Sequence, residues 1–372
     1  MRTGTIIEVV LRYLTFIAAF SGALTLALIF VRLAMVLAVQ WDIQDHPAGR
    51  KDHARVTPLL GGLGIYAAFV TALAAGLGLL WWSGHSAYAA AQFPLLVRQV
   101  PRLAAVWPKL ALILTGATLL VAVGLIDDIR GITFPPAIKF AVQIAAAVIA
   151  VAGGARSTFL PWPWLDALFS VLWIVAISNV FNFLDNMDGL SAGIALICGA
   201  LFFWLTAQQG QYFSALLFAL LCGACLGFLR YNLHPARVFM GDAGSLFIGY
   251  LFGTLSLTSS YVVAGSASLI PILIPLLVLG VPIFDAVTVI LIRIREHRPV
   301  YVGDQCHISH RLLRLGLSRN QVVVFVHLIS IAIGMSALLL PYISLQLSIL
   351  VLLQTILVYV ILTLLIRAGR KH

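Results

Sequence analysis

The sequence predicts an all-α polytopic membrane protein with about eleven transmembrane helices, its N-terminus outside and its C-terminus inside. Three observations carry that prediction. Of 372 residues, 62% are hydrophobic and only 10% charged, with a mean hydropathy of +1.05, whereas soluble domains carry about 25% charged residues. Apolar windows of the ~20 residues that a spanning helix needs recur along the whole chain. The basic residues behind the net charge of +10 flank those windows, where they orient helices. The partner they point to is a lipid bilayer; nucleic acid is not expected.

The windows follow in order. Window 13–33 comes after Arg2, Glu8 and Arg12 without a cleavage-site pattern leading to a soluble domain, so it reads as a retained helix. Window 58–82 opens on Thr57-Pro58 and carries Gly61, Gly62 and Gly64, which admit close backbone approach. Window 110–126 ends at Asp127-Asp128, and window 137–153 follows the loop 127–136. Window 163–182 runs into SNVFNFLDNMDG, residues 178–189. Windows 190–207 and 211–229 are divided only by 208–210, window 243–263 follows Gly241-Asp242, and window 268–290 leads into the long segment 291–320. Windows 321–340 and 343–366 are divided at Pro341. Cys198, Cys222 and Cys225 lie inside apolar runs, a packing context, and no structural disulfide is expected among them and Cys306. With no internal repeat and no separate soluble segment, residues 1–372 read as one integral-membrane domain.

An N-terminus outside places sixteen Lys and Arg on inner segments and six on outer ones (Arg2, Arg12, Arg98, Arg102, Lys109, Arg156), with Arg32 snorkelling from the first span. Eleven of the thirteen acids fall on that same inner face, leaving only Glu8 and Asp166 outside. Carboxylates gathered among an excess of cations mark a site, because ionisable groups at membrane depth cost several kcal/mol unless paired or wet.

Adjacent Asp127 and Asp128 repel unless a cation lies between them or one is protonated. Mg²⁺ suits such hard oxygens, with Mn²⁺ as a substitute. Within 178–189, Asn179, Asn182, Asp185, Asn186 and Asp188 exceed what a helix stop requires, and a helix there would put Asn179, Asn182 and Asn186 on one face beside Asp185. Gly241-Asp242-Ala243-Gly244-Ser245 sets a carboxylate and a hydroxyl at a helix N-terminus, where free N–H groups favour anions. The segment from Arg293 to Arg314 holds His307, His310 and Arg311 in a density of cations that matches a diphosphate better than a zinc site. Arg50, Lys51 and His53 add cations in loop 40–57.

Together these strings resemble the polyprenyl-phosphate N-acetylhexosamine-1-phosphate transferases, from about Asp45 to Gly316. Asp45-x-Pro47 with Arg50-Lys51-x-His53 is similar to the family's first loop, and Gly124-x-x-Asp127-Asp128 followed by Lys139 and Gln143 to its paired-Asp motif. Asn179-x-x-Asn182-x-x-Asp185-Asn186-x-Asp188-Gly189-Leu190 resembles its Asn/Asp motif, with Asn186 where many members have Gly. Phe239-Met240-Gly241-Asp242-x-Gly244-Ser245 and Pro282-x-x-Asp285 also fit. The family's His-Ile-His-His appears as His307-Ile308-Ser309-His310, so Ser309 is given no required role and histidine is expected to be tolerated there.

The resemblance implies transfer of a sugar 1-phosphate, GlcNAc-1-phosphate foremost, from a UDP-N-acetylhexosamine to undecaprenyl phosphate in a bacterial inner membrane. UMP would leave, and a cell-envelope glycan would be initiated. It implies a cytoplasmic site with Mg²⁺ on Asp242 and Asp128, Asp127 deprotonating or orienting the lipid phosphate, and Asp185 and Asp188 among the catalytic carboxylates. Lys139, Asn179 and Asn182 would bind substrate together with Arg50, Lys51, His53, His307, His310 and Arg311, and a homodimer is admitted as an assembly. Two alternatives are carried. One is the related phospho-MurNAc-pentapeptide transfer; the other, from a different class, is an ion-coupled secondary transporter, which would place its acids near the midplane of related halves.

Overall fold

The computed structural model describes residues 2–46, 56–88, 97, 100–262, 269–299 and 305–368. Its helices are α1 (Arg2–Gln40), α2 (Gly61–His85), α3 (Val100–Arg130), α4 (Pro136–Ala152), α5 (Pro163–Leu184), α6 (Leu190–Gln208) and α7 (Tyr212–Asn232). They continue as α8 (Gly241–Thr258), α9 (Ile274–Val278), α10 (Gly280–Arg295), α11 (Ile308–Arg314), α12 (Arg319–Ala337) and α13 (Leu345–Ala368). Local chemistry sets several of these starts. Pro136 and Pro163 open α4 and α5 at the first helical position, where a missing N–H costs nothing. Ser318 and Gln321 form a reciprocal capping box at the start of α12.

A helix lies at each of the eleven predicted windows, and the bundle is an all-α polytopic membrane protein. Eight of these helices are long and apolar enough to cross a bilayer, or nine if the pair α9 and α10, bent by 71°, forms one span. The other two windows are served differently. α4 has 17 residues, and α8 has 18 that begin with the polar string GDAGS.

α8 is central. It packs against α5, α3 and α2, and from Ala243 to Ser256 every residue is buried. A helix shielded from lipid on all sides does not need a lipid-grade sequence. At the opposite extreme, α13 exposes Leu350, Leu353, Ile356, Leu357, Ile361 and Leu364, as a lipid-facing helix should. Cys198, Cys222 and Cys225 are buried inside α6 and α7, in the packing role expected of them.

Close backbone approach fixes where α8 begins. Gly62 of α2 lies on the backbone of Gly244, and a Cβ at Gly124 of α3 would stand 2.5 Å from the backbone nitrogen of Ala243. A short antiparallel pairing, β1 (Gln44–Asp45) with β2 (Thr57–Pro58), ties the first loop to this place. The Phe239 N–H donates to the Pro58 carbonyl at 2.8 Å, and the Gly62 N–H donates to the Met240 carbonyl, also at 2.8 Å.

These glycines should therefore be intolerant in a graded way. G124A and G62A force a methyl into backbone and should destabilise by ~1–3 kcal/mol, the usual range for overpacking. G76A faces no atom within 4 Å and should be neutral. Thermal unfolding of the three purified variants measures the contrast, and equal midpoints would remove close approach as the reason for glycine.

Candidate active site

The end of α3, the start of α4, the end of α5 and the start of α8 meet at one place. A left-handed Gly241 (φ +71°) turns the chain into α8 beneath Asp128. The two carboxylate oxygens of Asp128 accept from the Asp242 N–H at 2.8 Å and the Ala243 N–H at 3.2 Å. Asp128 thus occupies the N-terminus of α8, where two unsatisfied donors and the helix dipole favour a negative charge.

Asp242 is thereby aimed at Lys139. The Lys139 ammonium lies between two carboxylates, donating to Asp127 at 3.2 Å and, more tightly, to Asp242. Asn182 Nδ2 donates to the other oxygen of Asp242 at 2.8 Å and lies 3.0 Å from the Ser245 hydroxyl. One turn earlier on α5, Asn179 donates to Gln143 Oε1 at 2.6 Å, and the buried Gln143 amide returns a bond at 3.4 Å. Asp127, Asp128, Lys139, Asn182 and Asp242 therefore share one network, with Asn179 behind it.

The Asn/Asp segment is not one helical face. α5 ends at Leu184, and Asp185 leaves the helix at ψ 51°, so Asn186 does not share the face of Asn179 and Asn182. Asn186 instead donates to the Phe183 carbonyl at 2.8 Å. That amide satisfies one of the last carbonyls of α5, where the helix stops. Asp188 is held at 2.7 Å from His234 Nδ1 and accepts from the Ala236 N–H at 3.1 Å. Asn232, 3% exposed, bridges by accepting from the Gly189 N–H at 2.9 Å and donating to the Val238 carbonyl at 2.8 Å.

The last motif is latched twice. Asp285 of α10 is 1% exposed; it lies 2.7 Å from His307 Nδ1 and accepts from the Ile308 N–H at 2.7 Å. Ser309, fully buried, donates to Asn186 Oδ1 at 2.6 Å. Ser309 was given no required role from the sequence, but the structure gives it a buried bond that a histidine in its place would have to replace. The two positions at which the chain departs from the family strings are bonded to each other.

His310 is half-buried, with its ring centroid 6.3 Å from that of His307. Arg311 donates to the Cys306 carbonyl and lines a groove with Arg295 and Arg367. Arg50, Lys51 and His53 lie outside the described residues.

Sequence reasoning missed His234, Asn232 and Arg293. His234 carried a weak signal as a histidine in an inner loop. Arg293 is 2% exposed, with its guanidinium carbon 5.4 Å from the centre of the Phe183 ring; nothing in the sequence separated it from the orienting arginines around it.

Among the described residues no group of three or more His, Cys, Asp or Glu forms a metal cage. A hard cation needs less, since Mg²⁺ takes one or two carboxylates and leaves its other positions to waters and substrate phosphates. Asp127 and Asp242 already face one positive charge, the Lys139 ammonium. The donor set fits such an ion.

The probable undecaprenyl-phosphate N-acetylglucosaminyl 1-phosphate transferase of Bacillus subtilis is 32% identical over 347 residues, covering 91% of this chain and 88% of that protein. The chain belongs to the polyprenyl-phosphate N-acetylhexosamine-1-phosphate transferase family. Residues 110–260, which hold Asp127, Asp128, Lys139, the Asn/Asp segment and Asp242, match the family described as glycosyl transferase family 4. Two further relatives of this transferase family extend the likeness. The decaprenyl-phosphate N-acetylglucosaminephosphotransferase of Mycobacterium leprae is 32% identical over 80% of this chain and 76% of its own length. The undecaprenyl-phosphate alpha-N-acetylglucosaminyl 1-phosphate transferase of Yersinia pestis is 27% identical over 82% and 79%.

Two outcomes follow from this geometry. Burial, then the charges of Asp242 and Asp188, push the Asp185 carboxyl up to about 7. A carboxyl whose value is higher folded than unfolded contributes stability at low pH that is lost as pH rises from about 4 through about 7. Without divalent cations, the unfolding midpoint should fall between pH 5 and pH 8, and D185N should flatten that slope; an unchanged slope would refute the assignment. Separately, N186A and S309A each break the same buried bond, so their effects on donor kcat/KM should be non-additive by about 0.5–3 kcal/mol in a double-mutant cycle, and S309H should lower activity where S309A partly retains it.

Proposed function

We propose that this transferase moves N-acetylhexosamine 1-phosphate, GlcNAc-1-phosphate in the first instance, from the UDP-sugar to undecaprenyl phosphate. The products are undecaprenyl-diphosphate-sugar and UMP, and the reaction initiates a cell-envelope glycan. The observation that carries this reading is the single network of Asp127, Asp128, Lys139, Asn182 and Asp242 at one end of an apolar bundle. Two phosphate-bearing reactants, one of them an insoluble lipid, require such a place: cations against repulsion, carboxylates for a metal, and walls open to lipid. The names of the relatives above support the same chemistry.

In this reading Asp242 would hold Mg²⁺, or Mn²⁺ in its place, with Asp128 fixing its position. When bound, the ion supplies charge neutralisation on the diphosphate oxygens. Lys139, which joins Asp127 and Asp242, would offset phosphate charge as well. Asp127, part-buried and held by Lys139, orients or deprotonates the lipid phosphate for in-line attack on the sugar-bearing phosphorus, the UMP oxygen leaving. Asn182 and Asn179 hold the geometry. Asp285 fixes the tautomer of His307, whose other ring nitrogen is left for the donor, beside His310.

We place the N-terminus outside and the C-terminus inside, with eleven crossings of a bacterial inner membrane, one integral-membrane domain over residues 1–372, and the site on the cytoplasmic face. The asymmetry of sixteen inner to six outer Lys and Arg supports that orientation. In a chain carrying C306S, cysteine at His297 should be shielded from impermeant thiol reagents in intact cells and cysteine at Tyr88 labelled; the reverse pattern would overturn the orientation.

The decisive assay follows UMP release from purified protein given undecaprenyl phosphate and a panel of UDP-sugars, with and without Mg²⁺. D127N and D242N should each lower turnover at least about a hundredfold with folding intact. Extra Mg²⁺ should partly restore only D242N. Full turnover without any divalent cation would sink the metal assignment, and full turnover in either variant would remove that residue from the mechanism.

A further inference from the structure

Beyond the network, a second charged place lies between the ends of α10 and α13. Thr288, Leu291 and Ile292 of α10 face Thr363 and Ile366 of α13 across a cavity of about 230 Å³. Arg295, Arg367 and Arg311 line it, the first two in the last turns of their helices. The carboxylate among them, Glu296, is engaged by Arg298. None of Asp127, Asp128, Asp185, Asp188 or Asp242 lines this cavity.

Three guanidiniums around an apolar floor are unlike the surface of a soluble protein. They lie where two lipid-facing helices reach the bilayer interface, since Leu291 is 60% and Leu364 59% exposed just below the cations. Guanidinium pairs well with phosphate oxygens, and basic pockets between transmembrane helices take anionic head groups. We propose that this groove binds the phosphate head group of an anionic bilayer phospholipid, with an acyl chain lying along α10 and α13. The occupant is a phospholipid rather than the acceptor lipid, because a phosphate held here touches no carboxylate of the reacting network.

The site has a structural consequence. Arg311 belongs to α11, whose first turn is latched to Asp285 and Asn186. A head group on Arg311 would therefore add a second hold on the same short helix.

The test needs no transferase turnover, so it stands apart from the proposed reaction. Full-length protein is placed in phosphatidylcholine nanodiscs with and without phosphatidylglycerol, and retained lipid is read by native mass spectrometry. Wild type should retain phosphatidylglycerol over phosphatidylcholine. With each basic residue near an anionic head group worth roughly fivefold, R295Q/R367Q should lose about twenty-five-fold of that preference, whereas R319Q, a charge change elsewhere, should keep it. A photoactivatable phosphatidylglycerol on unmutated protein should label segments 288–296 and 363–367, which keeps the test alive if the double variant does not fold. Equal losses in R319Q and R295Q/R367Q, labelling elsewhere, or displacement of the phospholipid by inorganic phosphate or by undecaprenyl phosphate would each overturn the proposal.

Discussion

The Asp128 carboxylate on the first N–H groups of α8 is the interaction on which the rest of the site depends. Were α8 to start one residue later, its first turn would rotate by about 100° and Asp242 would point away from Lys139 and Asn182. Close contacts at Gly62 and Gly124 exclude such slippage from two sides. The position of one carboxylate thus rests on two glycines and a neighbouring acid, none of which need touch a substrate.

The charge balance at this place gives it a direction. Asp127, Asp128 and Asp242 stand against one lysine, and the α8 N-terminus adds about half a positive charge. The remaining excess is of acidic groups, with Asp127, Lys139 and Asp242 only part-buried. On the proposed reading, such an excess would attract a small divalent cation and repel a phosphate that arrives without one. On that reading, substrate entry would be tied to the metal before any bond is broken.

Much of this was legible in the sequence. Hydropathy placed a helix at each of the eleven windows, because apolar runs of helical length recur along the chain, and eight of those helices are long and apolar enough to cross a bilayer. The carboxylates and amides of the network announced themselves because polar side chains at helix ends in a bilayer are costly without a task. The bond between Ser309 and Asn186 was illegible for the opposite reason. Each is an ordinary small polar residue 123 positions from the other, and only the fold shows that one donates to the other. His234 and Asn232 likewise act through a loop whose path local patterns do not fix. The bland reading of α8 as one more lipid-crossing span also hid its place at the centre, since burial by protein and burial by lipid look alike to a hydropathy window.

The latched helix shows how a mobile requirement can be met by a rigid bundle. The proposed reaction would admit a water-soluble donor from one side and a lipid from within the bilayer, and so would need an element near the carboxylates that is held yet accessible. α11 has only seven residues, too few to be stable on its own. It exists because Asp285 takes the Ile308 N–H, Asn186 takes the Ser309 hydroxyl, and α12 and α13 pack beside it. Its order is therefore borrowed from the elements around it. Asn186 is the next residue after Asp185, so any ligand that shifts this carboxylate pulls on the same bond that holds the helix bearing His310.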